Sequence, residues 1–267
     1  MGANMLLSID IGNSYIKFAV IDDSDNIKYR FSVSSSAHRS PDEYAMLIKQ
    51  FLADCDASGD ISINSSVICS VVPSLTRSLY IAAEKISATK PFVIASGTKT
   101  GFKIKIYDSS ELGADIVSNA AAARAAASYP LIIVDMGTAT TFTALDQNGD
   151  VIGTVIHPGL NVCMNALADS AAKLSEEPIL APRKLIGQNS TESIQSGLIY
   201  GHAAMVDGII SKIINEIKKQ SADELSLVAT GEFSPIITPF CKFKFISDPD
   251  LTLKGNALLY RLNRKKF

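Results

Sequence analysis

Apolar runs and amphipathic stretches alternate along the chain, and in the first half they predict a three-strand meander followed by alternating helices and strands. The continuous apolar run at 67–72 is typical of a strand buried in a parallel sheet. The predicted order is β-β-β-α-β-α-β. The strands are at 6–10, 16–21, 27–32, 67–72 and 92–95, and the helices begin at Ser40-Pro41 and Pro73-Ser74, where serine or proline suits a first turn.

The second half repeats this order after an alanine-rich helix at 114–128, which ends before Tyr129-Pro130. Strands are predicted at 131–135, 140–145, 151–156, 227–229 and 243–246, and further helices at 161–172, 191–219 and 253–264. The repeated order resembles the ribonuclease-H-like unit of the actin, hexokinase and Hsp70 superfamily. We therefore expect an α/β protein with two ribonuclease-H-like (actin-like ATPase) lobes, each a mixed sheet with flanking helices, and an active cleft between them. The expected lobes are 1–110 and 111–267.

A short turn sequence follows the first strand of each half. It reads DIGNS from Asp10 and DMGTATT from Asp135, and a second β-rich run follows in both cases. Glycine lets a backbone approach phosphate closely, neighbouring amides and hydroxyls can donate to it, and the aspartate can hold a cation. One such turn is equally well explained as an ordinary hairpin. Two turns with matching flanks favour a nucleotide bound between two related lobes.

Composition excludes several classes of protein. The 267 residues are 47% hydrophobic and 19% charged, with a net charge of −2, so disorder and a nucleic-acid partner are not expected. No secretory signal or membrane-length apolar run is recognised, which indicates a cytoplasmic chain with no membrane partner. The four cysteines are scattered without a C-x-x-C pair and are interpreted as reduced thiols, not as a zinc site.

Gly113-Ala114-Asp115 opens the alanine-rich helix. An aspartate in a first helical turn commonly just compensates the helix dipole. It could also serve as a kinase base, because the same dipole helps to keep the carboxylate ionised. Its position between the two glycine turns in sequence strengthens the catalytic interpretation, and both remain open.

Three further turns have both a structural and a functional interpretation. His157-Pro158-Gly159 leads from a strand into a helix and could place amides over a phosphate, although Pro-Gly is simply a good turn. Asn189 to Glu192 resembles a helix capping box, and its hydroxyls could instead reach a ligand. Thr230-Gly231-Glu232 follows a strand, at the kind of edge where nucleotide bases often lie.

Together these motifs resemble those of the type III pantothenate kinases, the bacterial enzymes that open coenzyme A synthesis, over essentially the whole chain. The matching strings are D-x-G-N-[ST] at 10–14, Tyr107-Asp108, G-A-D at 113–115, D-x-G-T-A-T-T at 135–141, I-x-P-G at 156–159, I-G-Q-N-S at 186–190, S-G-x-x-Y-G at 196–201 and L-T-L-K-G at 251–255.

The resemblance implies phosphorylation of pantothenate by ATP with Mg²⁺. It implies that Asp115 is the general base and that Asp135 binds a monovalent cation, K⁺ or NH₄⁺. It also implies a homodimer in which Ser190 of the partner subunit reaches the substrate. The implied ATP contacts are Asp10, Ile11, Gly12, Asn13, Ser14, Tyr15, Ile16, Lys17 and Thr138. The implied pantothenate contacts are Tyr107, Gly113, Ala114, Asp115, Ile116 and Ser190.

The chain departs from the family pattern at several positions. Ile116 stands where the family has an arginine, which removes the donors that could pair with the substrate carboxylate. Ser14 and Ser190 replace threonines and keep the hydroxyl, while Thr154 and Glu232 replace glycines. Two alternatives follow: a non-catalytic nucleotide-binding accessory or regulatory homologue, and a kinase of the same superfamily acting on another small alcohol.

Overall fold

The computed structural model describes residues 4–55, 61–170, 178–218 and 225–264. The strands are β1 (Asn4–Ile11), β2 (Tyr15–Ile21), β3 (Ile27–Ser34), β4 (Ser62–Ser70), β5 (Phe92–Val93), β6 (Leu131–Met136), β7 (Ala139–Leu145), β8 (Val151–Pro158), β9 (Ser226–Thr230) and β10 (Ile246–Ser247). The helices are α1 (Pro41–Cys55), α2 (Pro73–Ser87), α3 (Ala114–Ala126), α4 (Leu160–Ser170), α5 (Ser190–Lys218), α6 (Ser234–Ile237) and α7 (Leu251–Asn263).

The chain divides into two compact units that are discontinuous in sequence. The first comprises Met1–Gly101, Tyr107–Ala122 and Asp250–Phe267, and the second comprises Phe102–Ile106 and Ala123–Pro249. The single boundary expected near residue 110 differs from this division, because the start of α3 and the whole of α7 belong to the first unit. Signals of a boundary in sequence are local, so they do not show that the last helix returns to the first sheet.

The first unit is built on a five-stranded sheet in the order β3-β2-β1-β4-β5. The β1–β2 and β2–β3 pairs are antiparallel, whereas β4 and β5 continue the sheet in parallel. The central strand β1 is flanked on both sides, and its Leu7, Ile9 and Ile11 are fully buried in the core with Tyr44 of α1 and Leu79 of α2. This mixed sheet confirms the meander and the parallel strand predicted from the apolar pattern.

Helices α3 and α7 touch closely inside the first unit. A Cβ atom on Gly255 of α7 would lie 1.8 Å from the carbonyl oxygen of Ser118, so only glycine fits at this crossing. Thr252 donates to Oδ1 of Asn119 at 2.8 Å, and Asn256 donates to the hydroxyl of Ser8 on β1 at 3.2 Å. The L-T-L-K-G string at 251–255 therefore has a packing role in the described structure.

The second unit repeats the arrangement with a sheet in the order β10-β9-β6-β7-β8. Again one meander is antiparallel, here β6-β7-β8, while β9 and β10 are parallel to β6 and β9 respectively. The core contains Val134 and Phe142 of the sheet with Ile199, Val206 and Ile210 of α5. Two units with the same strand order confirm the two-lobed, actin-like fold class.

Two details differ from the prediction, and others lie where the structure is not described. The strand predicted at 243–246 is a two-residue strand at Ile246–Ser247, because Phe243 and Phe245 pack against the core instead of pairing with β9. The short helix α6 was not predicted. The predicted ends of two helices at Ala172 and Lys219, and the tail lysines 265–266, lie outside the described residues.

The expectation that no apolar segment reaches membrane length is wrong for α5. Among the described residues, Ser190–Ile217 has the length and composition of a span, with a mean hydropathy of 1.2. The core helix of a globular domain passes the same test. Ile199, Val206 and Ile210 of α5 are buried in the second core, while 33% of the most apolar 18-residue window of the helix is buried overall.

Candidate active site

The first glycine turn joins β1 to β2 and is held from β3. The Gly12 amide donates to the carbonyl of Tyr15 at 3.0 Å, which closes the turn. Ser35, just after β3, donates its hydroxyl to the Gly12 carbonyl at 2.6 Å, and its amide donates to the Ser14 carbonyl at 2.9 Å. Asn13 at the tip is exposed. Ser35 was not among the predicted residues, because its contact spans 23 positions and no local pattern marks it.

The residues of the first turn that are predicted to contact ATP differ in their exposure. Ile11 and Ile16 are fully buried, so neither residue exposes its side chain to a ligand. Asn13 and Tyr15 are exposed, and Lys17 is partly exposed. The exposed surface of this segment is therefore formed mainly by its polar side chains and Tyr15.

The first glycine turn and the start of α3 are connected through Val71, which follows β4. The Val71 amide donates to the carbonyl of Ile11 at 3.1 Å. Its Cγ1 would lie 3.8 Å from a Cβ placed on Gly113. The structure thus brings together, within the first unit, the predicted ATP-binding segment and the predicted base.

Asp115 is half-buried in the first turn of α3, and Gly113 makes room for its carboxylate. A Cβ on Gly113 would lie 2.3 Å from Oδ1 of Asp115. The Ile116 amide donates to the same oxygen at 2.9 Å. Burial raises the pKa of Asp115, and the Ile116 amide opposes this rise only in part. The helix dipole alone would favour an ionised carboxylate, but the effect of desolvation on the pKa of Asp115 is larger.

Two predicted substrate contacts in the first unit have contrasting environments. Ile116 is 7% exposed and belongs to the buried face of α3. Tyr107 is fully exposed and precedes Asp108, whose carboxylate accepts hydrogen bonds from Ser110. The side chain of Ile116 therefore serves packing, while Tyr107 is available to a ligand.

The second glycine turn joins β6 to β7 and closes like the first, with the Gly137 amide donating to the Ala139 carbonyl at 3.0 Å. Its support is different. The amide of Gly159, in the Pro-Gly turn before α4, donates to the Thr138 carbonyl at 3.1 Å, and the Phe233 amide donates to the Met136 carbonyl at 2.9 Å. The backbone of two neighbouring segments thus holds this turn.

Two glycines allow the neighbouring backbone segments to lie close to the second glycine turn. A Cβ on Gly159 would lie 2.3 Å from the Gly137 carbonyl oxygen and 2.4 Å from that of Thr138. Gly231, after β9, has φ +91°, and a Cβ there would lie 2.5 Å from Oδ1 of Asp135. The Pro-Gly and Thr-Gly turns of the sequence are therefore packed directly on the second glycine turn.

Ser190 is the exposed first residue of α5. Oδ1 of Asn189 accepts the Glu192 amide at 2.8 Å, as a helix cap, but Oε2 of Glu192 accepts the Gln188 amide at 2.8 Å in place of the Asn189 amide. The capping interpretation is thus confirmed with a shifted second bond. Ser190 also lines an open pocket of about 670 Å³ with Leu167 and Ile194.

Sequence reasoning also missed a buried polar pair behind the second turn. Nε2 of His202 on α5 lies 2.8 Å from Oγ1 of Thr140 on β7, and both residues are buried. The partners are 62 positions apart, and no local signal connects them.

The carboxylates of the two turns suit a magnesium ion that is bound mainly by the phosphates of a nucleotide. Among the described residues, no group of three or more His, Cys, Asp or Glu side chains could hold a metal ion. Magnesium in nucleotide sites is commonly held by one or two carboxylates plus phosphate oxygens. The half-buried Asp10 and Asp135, each at the end of a strand beside a glycine turn, fit that pattern.

The repeated sheet and its paired strand-end turns define the class of the protein as the actin-like ATPase and sugar kinase fold. Among solved structures, the chain is similar to the inorganic polyphosphate/ATP-glucomannokinase of Arthrobacter sp. strain KM. The TM-score is 0.53 at 15% identity, with 98% of this chain and 100% of that chain covered. At this identity the likeness shows the fold alone.

Sequence comparison narrows the class to a family. The family model for type III pantothenate kinase matches residues 6–212. The type III pantothenate kinase of Agathobacter rectalis is 36% identical over 98% of this chain and 99% of its own, and that of Dehalococcoides mccartyi is 34% identical over 97% and 96%. The chain belongs to the type III pantothenate kinase family.

Proposed function

We propose that the protein transfers the γ-phosphate of ATP to the primary hydroxyl of pantothenate, giving 4′-phosphopantothenate and ADP in the first step of coenzyme A biosynthesis. Membership of the family over residues 6–212 supports this activity. The paired glycine turns support it independently, because each offers a carboxylate and exposed polar groups at the end of a strand.

The observation that carries the proposal is the environment of Asp115. Its carboxylate is half-buried, has a raised pKa, and is given space by Gly113. A carboxylate that only compensates a helix dipole needs neither burial nor a glycine beside it. A base with a raised pKa accepts a proton more readily during the transfer.

In the proposed reaction, the substrate hydroxyl oxygen attacks the γ-phosphorus while Asp115 takes its proton. The bond from the γ-phosphorus to the β–γ bridging oxygen breaks, and ADP leaves with that oxygen. Such transfer depends mainly on positioning and charge stabilisation. We assign phosphate contacts to Asn13, Ser14, Lys17 and Thr138 and backbone contacts to the rest of 10–17.

Two carboxylates are assigned to cations. The magnesium ion that accompanies ATP would supply charge neutralisation, with Asp10 as the nearby carboxylate of the first turn. Asp135 would hold a monovalent cation, K⁺ or NH₄⁺, which neutralises phosphate charge without strict octahedral geometry. The contact between Gly231 and Asp135 supports this role by fixing where the carboxylate can point.

Pantothenate contacts are assigned to Tyr107, Gly113, Ala114 and the backbone of Ile116, with Ser190 supplied by the partner subunit. The exposure of Tyr107 and Ser190 supports a ligand role for both. Since the Ile116 side chain is buried, we assign it the orientation of Asp115 through its amide. The substrate carboxylate would then be bound elsewhere than at position 116.

A homodimer in the cytoplasm completes the proposal. The second unit exposes several large apolar side chains, which a dimer interface could cover. They are Ile156 at 68%, Leu180 at 56%, Leu185 at 61% and Ile186 at 79% exposure. Ile186 lies four positions before Ser190, so an interface there would include the start of α5.

The test is Asp115→Asn, with Asp42→Asn as the matched control. Asp42 occupies the same first-turn position of α1 and pairs with Lys85 of α2. We expect Asp115→Asn to lower kcat about 10²- to 10⁴-fold with ATP affinity unchanged, because it removes only the proton acceptor. Asp42→Asn should keep normal turnover. If both variants keep near-normal turnover, Asp115 is a dipole-compensating residue and the mechanism is wrong.

A further inference from the structure

His202 is a polar residue in an apolar environment behind the second glycine turn. It is 5% exposed on α5, between Ile199 and Ala203, which belong to the hydrophobic core of the second unit. Thr140 on β7 is 1% exposed, and its Oγ1 lies 2.8 Å from His202 Nε2. Burying two polar groups is costly unless they bond to each other, so this pair defines one specific alignment of α5 on β7.

Thr140 lies directly beside the second glycine turn, so the alignment of α5 on β7 affects the position of that turn. It pairs with Met136 across the β6–β7 hairpin, directly beyond the segment from Gly137 to Ala139. Met136 and Thr140 are both buried. One residue further from the turn, Asp135 pairs with Thr141, and because side chains alternate along a strand, this pair lies on the opposite face of the sheet. The His202 bond therefore acts on the buried side of the turn, and Asp135 lies on the other side.

His157 makes a second connection from His202 to the same turn. The two imidazole rings meet edge to face with centroids 5.7 Å apart. His157 Nδ1 lies 2.7 Å from the Pro158 carbonyl oxygen, so this nitrogen donates. Pro158 precedes Gly159, whose amide donates to the Thr138 carbonyl. Both sides of the turn are thus connected to one histidine.

The charge state of His202 suits a permanent bond. Burial lowers its pKa to about 4, with a smaller contribution from His157. A neutral imidazole has one donor and one acceptor nitrogen, so it can share a proton with a hydroxyl without burying a charge. The pair is therefore present unchanged across the neutral pH range.

We propose that His202 is a positioning residue for phosphate binding: through Thr140 it fixes the second glycine turn and the groups that this turn presents to ATP. The inference rests on the proposed function, in which Thr138 and Asp135 contact phosphate and cation. His202 itself touches neither. It acts on the turn from the core, in the way that outer-shell partners orient the groups of a binding site.

The test compares loss of the bond with loss of an equal amount of packing. His202→Leu and Thr140→Val each remove one partner, His202→Gln keeps a donor near the Nε2 position, and Val206→Ala is the control. Val206 is fully buried one helical turn further along α5 and makes no side-chain hydrogen bond. These four variants and the double variant His202→Leu/Thr140→Val are measured for Tm, kcat and KM for ATP and for pantothenate.

We expect His202→Leu and Thr140→Val to raise the KM for ATP about three- to tenfold, the range that corresponds to loss of one hydrogen bond. The KM for pantothenate should change less, the double variant should be no worse than the worse single variant, and His202→Gln should restore most of the ATP affinity. Val206→Ala should lower Tm without raising the KM for ATP. An equal rise in Val206→Ala, or no rise in Thr140→Val, would overturn the proposal.

Failure of the proposed function can be separated from failure of this inference. If the wild-type protein binds ATP but does not phosphorylate pantothenate, calorimetric ATP affinity replaces KM in the same comparison. Weaker ATP binding by Thr140→Val, with normal binding by Val206→Ala, then still supports the positioning role, and equal binding by wild type and Thr140→Val overturns it. Absence of ATP binding by the wild type overturns both proposals.

Discussion

The two glycine turns share a sequence signature and a backbone closure, but they are supported by different means. The first is held by the hydroxyl and amide of Ser35 and by the amide of Val71. The second is enclosed by the backbone of Gly159 and Gly231, at positions where any Cβ would collide with it. The first turn thus depends on one side-chain and two backbone hydrogen bonds, and the second on the absence of side chains at two positions.

This difference teaches where each turn can tolerate change. A side-chain hydrogen bond can be lost or replaced at a modest energetic cost, because water can satisfy the groups left behind. A backbone contact made possible by glycine cannot be replaced, because a methyl group forces the segments apart. We therefore expect the second turn to be much more sensitive to small substitutions in its surroundings than the first.

The largest expected effect comes from Gly159→Ala. Overpacking at this position should destabilise the second unit by about 1–3 kcal/mol and abolish measurable ATP binding, because the turn must move. Gly153→Ala in β8 is the matched control, since a Cβ there has no atom within 4 Å. Thermal unfolding and calorimetry with ATP measure both effects. Equal behaviour of the two variants would show that the second turn is not sterically enclosed.

Replacing the aspartate at the end of each strand should show that the two turns bind different cations. We expect Asp135→Asn to weaken ATP binding about tenfold or more and to blunt the response to potassium, as for the loss of a charged partner. Asp10→Asn should weaken ATP binding and retain the potassium response. Initial rates over a potassium titration measure this. If Asp135→Asn retained the potassium response, the assignment of the monovalent cation to Asp135 would be wrong.

The parts of the structure that could be predicted are those with local signals. The two meanders, the strand-end turns and the cap at Asn189 follow from apolar alternation, glycine and short polar side chains. The contacts of Gly159 with Thr138, of Gly255 with Ser118 and of His202 with Thr140 join distant segments, so no window of sequence contains them. The strand predicted at 243–246 was misplaced because pairing with β9, and not apolar content, decides where β10 lies.

A smaller effect is expected where the first turn depends on a side chain. Ser35→Ala should raise the KM for ATP about two- to tenfold, because it removes one hydrogen bond to the Gly12 carbonyl. Ser34→Ala is the control, since Ser34 is the exposed neighbour of Ser35 at the end of β3. Steady-state kinetics decide the comparison, and equal KM values for both variants would show that Ser35 does not hold the turn.

The smallest effect concerns the stability of the first unit around Asp115. Its folded-state pKa lies above the ordinary 3.8, so ionisation of the carboxylate disfavours the folded state, and the penalty is present above the folded pKa and relieved as pH falls through it. We therefore expect Asp115→Asn to raise Tm slightly at neutral pH and not at pH 3. The acid limb of kcat/KM, which reports groups of the free enzyme, should lie above pH 3.8. A lower Tm for the variant at neutral pH would contradict the burial penalty.

The most direct measurement of the central claim is product analysis of the wild-type protein incubated with ATP, magnesium, potassium and pantothenate. ³¹P NMR with mass spectrometry identifies the phosphorylated product, and a panel of other small alcohols shows whether pantothenate is preferred. The account predicts 4′-phosphopantothenate and an equal amount of ADP, both formed about 10²- to 10⁴-fold more slowly by Asp115→Asn. ATP consumption only with a different alcohol, or none with any acceptor despite ATP binding, would contradict it.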